Sequence, residues 1–368
     1  MANVLFYGYL APYRIDIYNA QYERLGCEIY FIWDKDLSQN HNMSELWKQC
    51  HFSPHYTKGI IWKNHKINLD IWNILSKEQP NLVVVPEFKI LSIMVLLYRF
   101  LFRKKYKVIA LCDDSFDMVS NNHEFTRKHR WARKIVAPLV DDIFLVDSNV
   151  VNWYQQRFNK GIWLPLIRDE RKELPLYENA KVIAHELMTK YELSDKKVLL
   201  FVGRFAPEKN LNALFEALKY TNEAFVTIFV GDGVLKEELI AVSKSINKEI
   251  LFPGRFEGQS LRAWYLLSDV FILCSSQEAF GAVTNEALLA GCNCLVSKNC
   301  GSSCLINSNN GTIIDPNNIR EMADSIDSAM KKVKISDRFS RKSKMPFTFS
   351  EMFDKIDDRV RLLLQNQV

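Results

Sequence analysis

Short apolar runs alternate with amphipathic stretches along most of the chain. Runs of this kind, when glycine, proline or polar residues bound them, are typical of buried strands. They occur at 3–9, 27–33, 81–86, 108–112, 142–146, 161–165, 198–202, 226–230, 268–274 and 311–315. Segments with helical spacing of apolar residues lie between several of them, for example at 211–218. This alternation of strand and helix predicts doubly wound parallel sheets of the α/β class.

The length of 368 residues suits two domains of ordinary size, each able to bury a core. We place the first domain at 1–170 and the second at 171–346. The boundary falls in the charged stretch 167–179, which contains Pro175 and is typical of a linker. The amphipathic segment 347–368 is predicted to form a last helix.

The stretch EAFGAVTNE at 278–286 carries the strongest chemical signal. An apolar run precedes it, so Glu278 is expected in a strand-to-helix loop and Glu286 about two turns along the helix. Gly281 would stand at the helix start, where N–H groups and the helix dipole favour an anion. Because carboxylates accept hydrogen bonds from hydroxyl pairs, the stretch suits a sugar joined to a phosphate. A surface helix with two solvated glutamates is the alternative.

Three further loops follow in the second half. Gly203 and Arg204 end a strand, and Lys209 comes five residues later. Two cations around a glycine turn can hold a diphosphate, arginine as a planar fork and lysine as a point charge. The turn GDG at 231–233 ends the next strand, and the stretch FPGRF at 252–256 offers backbone groups around Arg255 to a base edge.

This ordered set of motifs resembles the donor-binding half of family 4 glycosyltransferases, the retaining nucleotide-sugar enzymes of the GT-B fold, over about 181–316. The resemblance implies two Rossmann-like domains facing across a cleft, with the segment 347–368 packing back on the first. It makes Arg204, Lys209 and Glu278 the catalytic candidates: the cations neutralise the diphosphate and Glu278 meets the hydroxyls of the donor sugar. Glu286 would take the ribose hydroxyl pair. The remaining donor-binding candidates are Gly203, Gly231, Asp232, Gly233, Arg255, Phe280, Gly281, Ala282 and Val283.

The candidates on the acceptor side are Gly8, Arg14, Asp113 and Asp114. Related enzymes often carry a glycine pair near Gly8 and a histidine near 113–114, and this chain has neither. The run PYR at 12–14 resembles a variant of bacterial surface-polysaccharide members. Arg14 either binds an acceptor phosphate or forms an ion pair that stabilises the fold. Asp113 and Asp114 either meet acceptor hydroxyls or cap the next helix.

The net charge of +5 lies entirely in the first half. Residues 1–174 carry 24 Lys and Arg against 19 Asp and Glu, and the rest carry 24 of each. This excess favours an anionic surface as partner over nucleic acid. The apolar segment 90–102, followed by the basic segment 103–107, is too short to span a bilayer. It is either a core helix or a helix lying among lipid headgroups. The basic segment 123–134 is interpreted as a solvated face.

The opening residues are typical of a strand and not of a signal peptide. Eight cysteines, mostly within apolar runs, favour reduced thiols in a cytosol. The spacing of the four at 292, 294, 300 and 304 fits no usual zinc site. We therefore expect neither a metal nor another cofactor, and a protein that is cytoplasmic or lies at the inner face of the plasma membrane. Trp47 and Trp62 are candidates for sugar contacts.

The residues themselves predict a site for a sugar diphosphate, and the resemblance implies a retaining glycosyltransferase of hexosyltransferase type. It would move a sugar from a nucleotide-diphosphate sugar to a hydroxyl of a glycan or lipid-linked glycan, in bacterial cell-surface polysaccharide synthesis. Its expected partners are the donor, the acceptor and, through peripheral contact, an anionic membrane. A nucleotide-sugar epimerase and a non-catalytic subunit that binds glycan or membrane are the alternatives.

Overall fold

The computed structural model describes residues 2–33, 46–62, 65–120 and 127–365. Contacts divide the chain into two compact units. The first unit combines 1–167 with the C-terminal 349–368, and the second comprises 168–348. Each unit is built around a parallel sheet, so the predicted pair of doubly wound α/β domains is confirmed.

The first unit contains a seven-stranded sheet in its described residues, in the order β3-β2-β1-β6-β7-β8-β9. Its strands are β1 (Asn3–Tyr7), β2 (Cys27–Phe31), β3 (His55–Tyr56), β6 (Leu82–Pro86), β7 (Lys107–Cys112), β8 (Asp142–Leu145) and β9 (Ile162–Trp163). The strands β4 (Gly59–Trp62) and β5 (His65–Asn68) form a separate antiparallel hairpin. The central strands β6 and β7 are buried, except for Lys107 at the start of β7, because helices cover both faces of a doubly wound sheet.

The helices of the first unit are α1 (Ile15–Leu25), α2 (Ile71–Glu78), α3 (Ile90–Leu101), α4 (Phe116–Ser120), α5 (Arg127–Val136), α6 (Ser148–Phe158) and the C-terminal α13 (Phe349–Gln365). Helix α13 contacts α1 through Arg24, which binds Asp354 and Asp357, each at 2.6 Å. Phe353 and Ile356 of α13 are buried. In the described part of the chain, no helix is both long and apolar enough to cross a bilayer.

The second unit contains a six-stranded parallel sheet in the order β12-β11-β10-β13-β14-β15. The strands are β10 (Val198–Val202), β11 (Val226–Val230), β12 (Glu249–Gly254), β13 (Val270–Leu273), β14 (Asn293–Ser297) and β15 (Gly311–Ile314). The helices are α7 (Glu170–Lys190), α8 (Leu211–Leu218), α9 (Lys236–Ser243), α10 (Gly258–Leu267), α11 (Val283–Leu289) and α12 (Ile319–Lys331).

The interpretation of 167–179 as a linker is wrong beyond its first residues. Helix α7 starts at Glu170 and continues through Pro175. The Asp169 side chain caps it by accepting a hydrogen bond from the Arg171 N–H at 3.0 Å. A proline inside a helix removes one backbone hydrogen bond. The buried face of α7, which includes Tyr177 and Ala180, packs against α10, and this packing outweighs the local signal.

A buried charge cluster joins the start of the two central strands of the second unit. Asp269 precedes β13, and its carboxylate accepts the N–H of Val198, the first residue of β10, at 2.9 Å. Arg338 donates to both Asp269 oxygens at 2.6 and 3.2 Å, and Arg341 donates at 3.1 Å. The side chain of Asp269 is 1% exposed. The cluster therefore fixes β10 beside β13, the two strands whose far ends carry the candidate site.

Replacing Asp269 with alanine leaves the two arginines and one backbone N–H without their shared acceptor. Breaking a buried ion pair by removing one partner costs about 3–5 kcal/mol. We expect Asp269→Ala to lower the free energy of unfolding of the second unit by about that amount, measured by urea titration. The matched control is Asp324→Ala on the exposed side of α12, expected within about 0.5 kcal/mol of the parent. Equal stability losses in the two variants would contradict the role assigned to the cluster.

Candidate functional site

The second sheet has its topological switch point between β10 and β13. From β10 the chain continues to β11 and β12 on one side, and it then crosses to β13 on the other side. Ligands of open parallel sheets bind in the crevice at the carboxyl ends of the strands at such a point. The loops after β10 and β13 meet there, and they carry Lys209 and Glu278.

Lys209 and Glu278 form an ion pair across this switch point. Both side chains are half-buried, so each charge depends on the other for compensation. The Ser276 N–H donates to the carbonyl of Glu208 at 2.9 Å, and the Cys274 thiol donates to the carbonyl of Lys209 at 3.4 Å. The two loops are therefore joined by backbone contacts as well as by the ion pair.

Arg204 lies on the same loop as Lys209 and has a different environment. Its side chain is 77% exposed and binds Glu208 at 3.2 Å. A surface pair of this kind contributes little to stability. The Arg204 guanidinium is therefore a cation that a ligand can recruit at small cost. Glu208 is a neighbour that sequence reasoning missed, although it directly precedes Lys209.

Two glycines allow the loops after β10 and β11 to pack backbone against backbone. A Cβ atom on Gly231 would lie 1.9 Å from the carbonyl oxygen of Gly203, and one on Gly233 would lie 2.5 Å from that of Phe205. The Phe205 N–H donates to the carbonyl of Asp232 at 2.8 Å. The carboxylate of Asp232 is exposed and has Lys236 at 3.6 Å. These glycines serve loop packing, which in turn fixes the edge of the site.

The loop after β13 is held rigidly before it enters α11. Gly281 has φ +87°, and a Cβ atom there would lie 2.6 Å from the Leu273 side chain, so only glycine fits. The carbonyl of Phe280, whose ring is buried, accepts the Ser302 N–H at 2.7 Å. Gly281 and the N-cap residue Ala282 precede α11, and Val283 is its first residue. Their N–H groups lie where a helix leaves donors without an intrahelical partner.

Glu286 lies on α11 among tyrosines. The Tyr265 hydroxyl donates to its carboxylate at 2.8 Å, and the Tyr177 hydroxyl donates to its main-chain carbonyl, also at 2.8 Å. Burial raises the pKa of the Glu286 carboxyl above its ordinary value, although Tyr265 and the nearby Arg168 oppose the shift. No pattern in the sequence pairs position 265 with 286, since they lie on different helices.

Arg255 follows β12 on the outer side of the sheet. Its side chain is exposed and forms an ion pair with Glu257. The N–H of Gly231 donates to the carbonyl of Gly254 at 2.9 Å, so the loop before Arg255 is tied to the loop after β11. The structure thus places the predicted donor-side residues of the second unit at the carboxyl edge of one sheet.

The acceptor-side candidates lie at the carboxyl edge of the first sheet. Arg14 is 4% exposed and donates to both oxygens of Asp113 at 2.6 Å, which favours the ion-pair alternative for Arg14. Asp113 remains partly exposed. Gly8 is partly exposed, and a Cβ atom there would meet nothing within 4 Å, so the local packing does not require glycine.

Asp114 is buried and not presented to solvent as an acceptor ligand would require. It accepts hydrogen bonds from the Tyr154 hydroxyl at 2.7 Å and from His129 at 3.1 Å, with Arg133 at 3.3 Å. Burial opposes its ionisation, but these partners outweigh burial and lower the pKa of Asp114. The hydrogen bond to Asp114 raises the pKa of His129. Sequence reasoning missed His129, which follows Asp114 by fifteen positions on a separate helix.

The sugar contacts proposed for Trp47 and Trp62 and the expected absence of a metal stay predictions. Trp47 is partly exposed, and the side chain of Trp62 lies outside the described residues. The thiol of Cys292 is buried and donates to the carbonyl of Tyr265 at 3.2 Å, and burial raises its pKa to about 11. Within the described ranges, no three His, Cys, Asp or Glu side chains lie together as a metal site needs.

Comparisons with known proteins find similarity to glycosyltransferases. Residues 185–345 match the family model described as glycosyl transferases group 1. An alpha-1,4-N-acetyl-D-galactosaminyltransferase of Campylobacter jejuni, named for a glycan on PP-undecaprenol, is 28% identical over 163 residues, 43% of this chain and 41% of that protein. A GDP-mannose-dependent alpha-mannosyltransferase of Mycobacterium tuberculosis is 31% identical over 105 residues, 28% of this chain and 26% of that protein. The chain spans about half or less of the length of the first curated relatives that it matches.

A solved structure matches the whole fold. HepE from Anabaena, crystallised in complex with UDP, aligns with 98% of this chain over 100% of its own, at a TM-score of 0.75 and 16% identity. At that identity the likeness concerns the fold alone. The two Rossmann-like domains expected for the GT-B fold are thereby confirmed, and the family-model match confirms the expected resemblance to glycosyltransferases. The assignments to family 4 and to a retaining mechanism stay predictions.

The raised pKa of Glu286 predicts a pH-dependent stability cost. A carboxyl whose pKa is raised by folding leaves stability intact below its unfolded pKa, about 4.3, and lowers stability as the pH rises through the folded value. Glu286→Gln removes this cost and preserves an acceptor for the Tyr265 hydroxyl. We expect the variant to melt at a higher temperature than the parent at neutral pH and at the same temperature near pH 4. A melting difference that is independent of pH would contradict the prediction.

Proposed function

We propose that this chain, which carries a glycosyl transferases group 1 domain at 185–345, transfers a sugar from a nucleotide-diphosphate sugar to a hydroxyl of a glycan or lipid-linked glycan. The observation that carries the proposal is the ion pair of Lys209 and Glu278 across the switch point of the second sheet. It places a cation and a hydrogen-bond acceptor for hydroxyls side by side. A sugar diphosphate presents the complementary pair of groups, an anion and hydroxyls, on adjoining atoms.

Donor binding would exchange the partners of this ion pair. Lys209 would turn its ammonium to the diphosphate, and Glu278 would accept hydrogen bonds from the sugar hydroxyls. Each charge then keeps a partner, so donor binding leaves neither half-buried group uncompensated. Exposed Arg204 would add a second cation on the diphosphate after releasing Glu208. Cations aimed at a developing phosphate charge stabilise the transition state more than the ground state.

The start of α11 would contribute backbone N–H groups to the same ligand. Gly281, Ala282 and Val283 present donors at the helix start, where anions are favoured. Glu286 would receive the ribose hydroxyl pair, and its contact with Tyr265 fixes the orientation of its carboxylate. Among the donor-side candidates, Gly231 and Gly233 would act indirectly, by letting the neighbouring loops pack closely.

The reaction would proceed with retention at the anomeric carbon. A bond forms between the acceptor hydroxyl oxygen and the anomeric carbon, and the bond from that carbon to the diphosphate oxygen breaks. The leaving phosphate accepts the hydroxyl proton on the same face, so no separate general base is invoked. Lys209 and Arg204 stabilise the negative charge that develops on the leaving group, and the proposal includes no metal.

The names of the relatives suggest the kinds of acceptor and donor. One is named for a glycan on PP-undecaprenol, and a structural neighbour binds UDP. We infer a role in bacterial cell-surface polysaccharide synthesis, with a lipid-linked glycan as the acceptor and the cytoplasmic side of the plasma membrane as the location. The family match does not favour an epimerase or a non-catalytic subunit.

The first test is donor binding without metal. Thermal melting is measured with UDP-, GDP-, ADP- and CDP-sugars, each in the presence of EDTA. A ligand of the folded state at a hundred times its dissociation constant adds roughly 2.7 kcal/mol of stability, so a donor should raise the melting temperature. We expect one nucleotide class to do so. If no nucleotide class raised the melting temperature, a non-catalytic subunit would become the favoured function.

The second test removes the cations. Loss of one preorganised donor to a developing anion typically lowers turnover by about a hundred- to a thousand-fold. We expect Lys209→Ala and Arg204→Ala each to reduce sugar transfer by about that factor once a donor is identified. The matched control is Lys219→Ala, which removes an exposed lysine paired with Glu216 and should leave transfer unchanged.

Melting temperatures of the three variants separate loss of function from loss of fold. Arg204 and Lys219 lie at the surface, so their variants should melt with the parent. Lys209→Ala leaves Glu278 without its partner and is expected to melt somewhat lower. If a folded Arg204→Ala or Lys209→Ala variant transferred sugar at the parent rate, the replaced residue would not be one that binds the diphosphate.

A further inference from the structure

Buried charges of the second unit lie in the stretch that the sequence suggested as a linker. Glu173 lies in the first turn of α7, and its side chain is 4% exposed. One of its carboxylate oxygens forms an ion pair with Arg168 at 2.6 Å. The other accepts two hydrogen bonds from Arg262 of α10, at 2.7 and 3.0 Å. Both arginine side chains are mostly buried. These three residues are here called the Glu173 triad.

The same stretch is joined to α11 beside Glu286. The Arg168 N–H donates to the side-chain oxygen of Asn285 at 2.9 Å. The Tyr177 hydroxyl donates to the main-chain carbonyl of Glu286 at 2.8 Å. The start of α7 is therefore held against two consecutive residues of α11, and one of them is the candidate for the ribose hydroxyl pair.

Helix α10 connects the Glu173 triad to the Glu286 side chain. Arg262 and Tyr265 lie three positions apart, which places them on one face of the helix. Arg262 binds Glu173, and the Tyr265 hydroxyl donates to one carboxylate oxygen of Glu286 at 2.8 Å. The other oxygen of Glu286 receives no hydrogen bond from the residues that the structure describes, and the side chain is partly exposed. A ligand can therefore reach a carboxylate that is already oriented.

The charges around Glu286 come from the triad. The titratable and charged groups that face its carboxyl or its tyrosine neighbours are Arg168, Glu173, Tyr177, Arg262, Tyr265 and Cys292. Burial raises the pKa of the two tyrosines and of Cys292, so these three groups stay neutral. Burial also raises the pKa of Glu286, whereas Tyr265 and both arginines lower it and Glu173 raises it further. Two arginines and two carboxyls form a neutral group only when Glu286 is ionised.

The ionisation state of Glu286 determines which ligand groups it can bind. An ionised carboxylate only accepts hydrogen bonds, which suits the two hydroxyls of a ribose, whereas a protonated carboxyl donates from one of its oxygens. Hydrogen bonds to an ionised acceptor are also the stronger ones. A site that keeps Glu286 ionised therefore distinguishes ribose from 2′-deoxyribose, which lacks one of the two donors.

We propose that Arg168 and Glu173 are positioning residues for Glu286: they hold α7 against α11, keep a cation near the carboxylate, and so make the site select ribose over 2′-deoxyribose. The proposal rests on the role of Glu286 in the proposed function and adds to it a helix that carries no donor-binding candidate. A triad that only held helices together would affect stability equally at every pH and would not affect the choice of sugar.

The first test uses the full chain without ligand. The stability gained by Glu286→Gln is measured by urea unfolding from about pH 4 to about pH 9, in the parent and in Arg168→Gln. The gain grows as the pH rises from the unfolded pKa of Glu286, about 4.3, and stops growing at the folded value. Loss of the Arg168 charge should raise the folded value. We therefore expect the gain in Arg168→Gln to become larger and to level off at a higher pH.

The variant and its controls are chosen to keep the fold. Arg168→Gln retains a hydrogen-bond donor and leaves Arg262 on Glu173. Arg168→Lys keeps the positive charge and should restore the parent profile. The matched control is Arg171→Gln, which removes a 69% exposed arginine of α7 that is paired with Asp169. It should also give the parent profile. Identical profiles in the parent and in Arg168→Gln would overturn the proposal, and a loss of stability that is uniform in pH would leave the triad a structural role only.

The second test measures the choice of sugar by titration calorimetry. UDP, GDP, ADP and CDP are each compared with their 2′-deoxy forms near pH 7. We expect the parent to prefer the ribose form of the diphosphate that binds by about tenfold, because 2′-deoxyribose lacks one hydrogen bond to a charged acceptor. Arg168→Gln should lower this preference severalfold, and a higher pH should restore it, since Glu286 then ionises again. Arg171→Gln should keep the parent preference.

The outcomes separate this proposal from the proposed function. If Arg168→Gln bound a diphosphate with the parent preference for ribose, the positioning role would be wrong and the proposed function would stand. If the parent bound none of the diphosphates, the proposed function would be wrong, and the selection of ribose with it. The pH profile of unfolding would in that case still decide whether the triad controls the ionisation of Glu286.

Discussion

The ion pair between Lys209 and Glu278 is the interaction around which the second unit is arranged. Two opposite charges are held half-buried at the point where the strand order reverses, and neither can lose its partner without cost. Their loops are also joined by hydrogen bonds to main-chain carbonyls, from the Ser276 N–H to Glu208 and from the Cys274 thiol to Lys209. The site therefore exists as a preorganised pair of charges before any ligand arrives. A ligand that supplies both an anion and hydroxyls can replace this ion pair because it gives Lys209 a counter-charge and Glu278 hydrogen-bond donors.

The support for this pair lies at both ends of the same strands. At the amino ends, Asp269 joins β10 to β13 through Val198, Arg338 and Arg341. At the carboxyl ends, close glycine packing sets the loops that present the charges. Glu286, by contrast, does not stabilise the unit when it is ionised, because burial raises the pKa of its carboxyl.

Much of this arrangement could be predicted from local sequence. Strands β10 and β13 are uninterrupted apolar runs, so the positions of Arg204, Lys209 and Glu278 in the loops after them could be predicted. The roles of these residues rest on the family resemblance and stay predictions. What escaped prediction depends on contacts between distant residues. Pro175 signals a break, yet helix α7 continues because its far side packs on α10. Arg14 with Asp113, Asp114 with His129, and Glu286 with Tyr265 each join separate elements, and no local spacing encodes such pairs.

The two units differ in how they use charge. In the second, 24 Lys and Arg stand against 23 Asp and Glu, and the ion pair of Lys209 and Glu278 lies at the edge of the sheet, where geometry selects a ligand. In the first, 24 Lys and Arg stand against 20 Asp and Glu, and exposed basic side chains follow α3 and lie along α5, near exposed apolar side chains. Paired, half-buried charges discriminate by position, because a misplaced ligand leaves one of them uncompensated. Dispersed, solvated charges act through the summed field and tolerate many orientations. Paired charges therefore suit a defined small molecule, and dispersed charges suit an extended anionic surface.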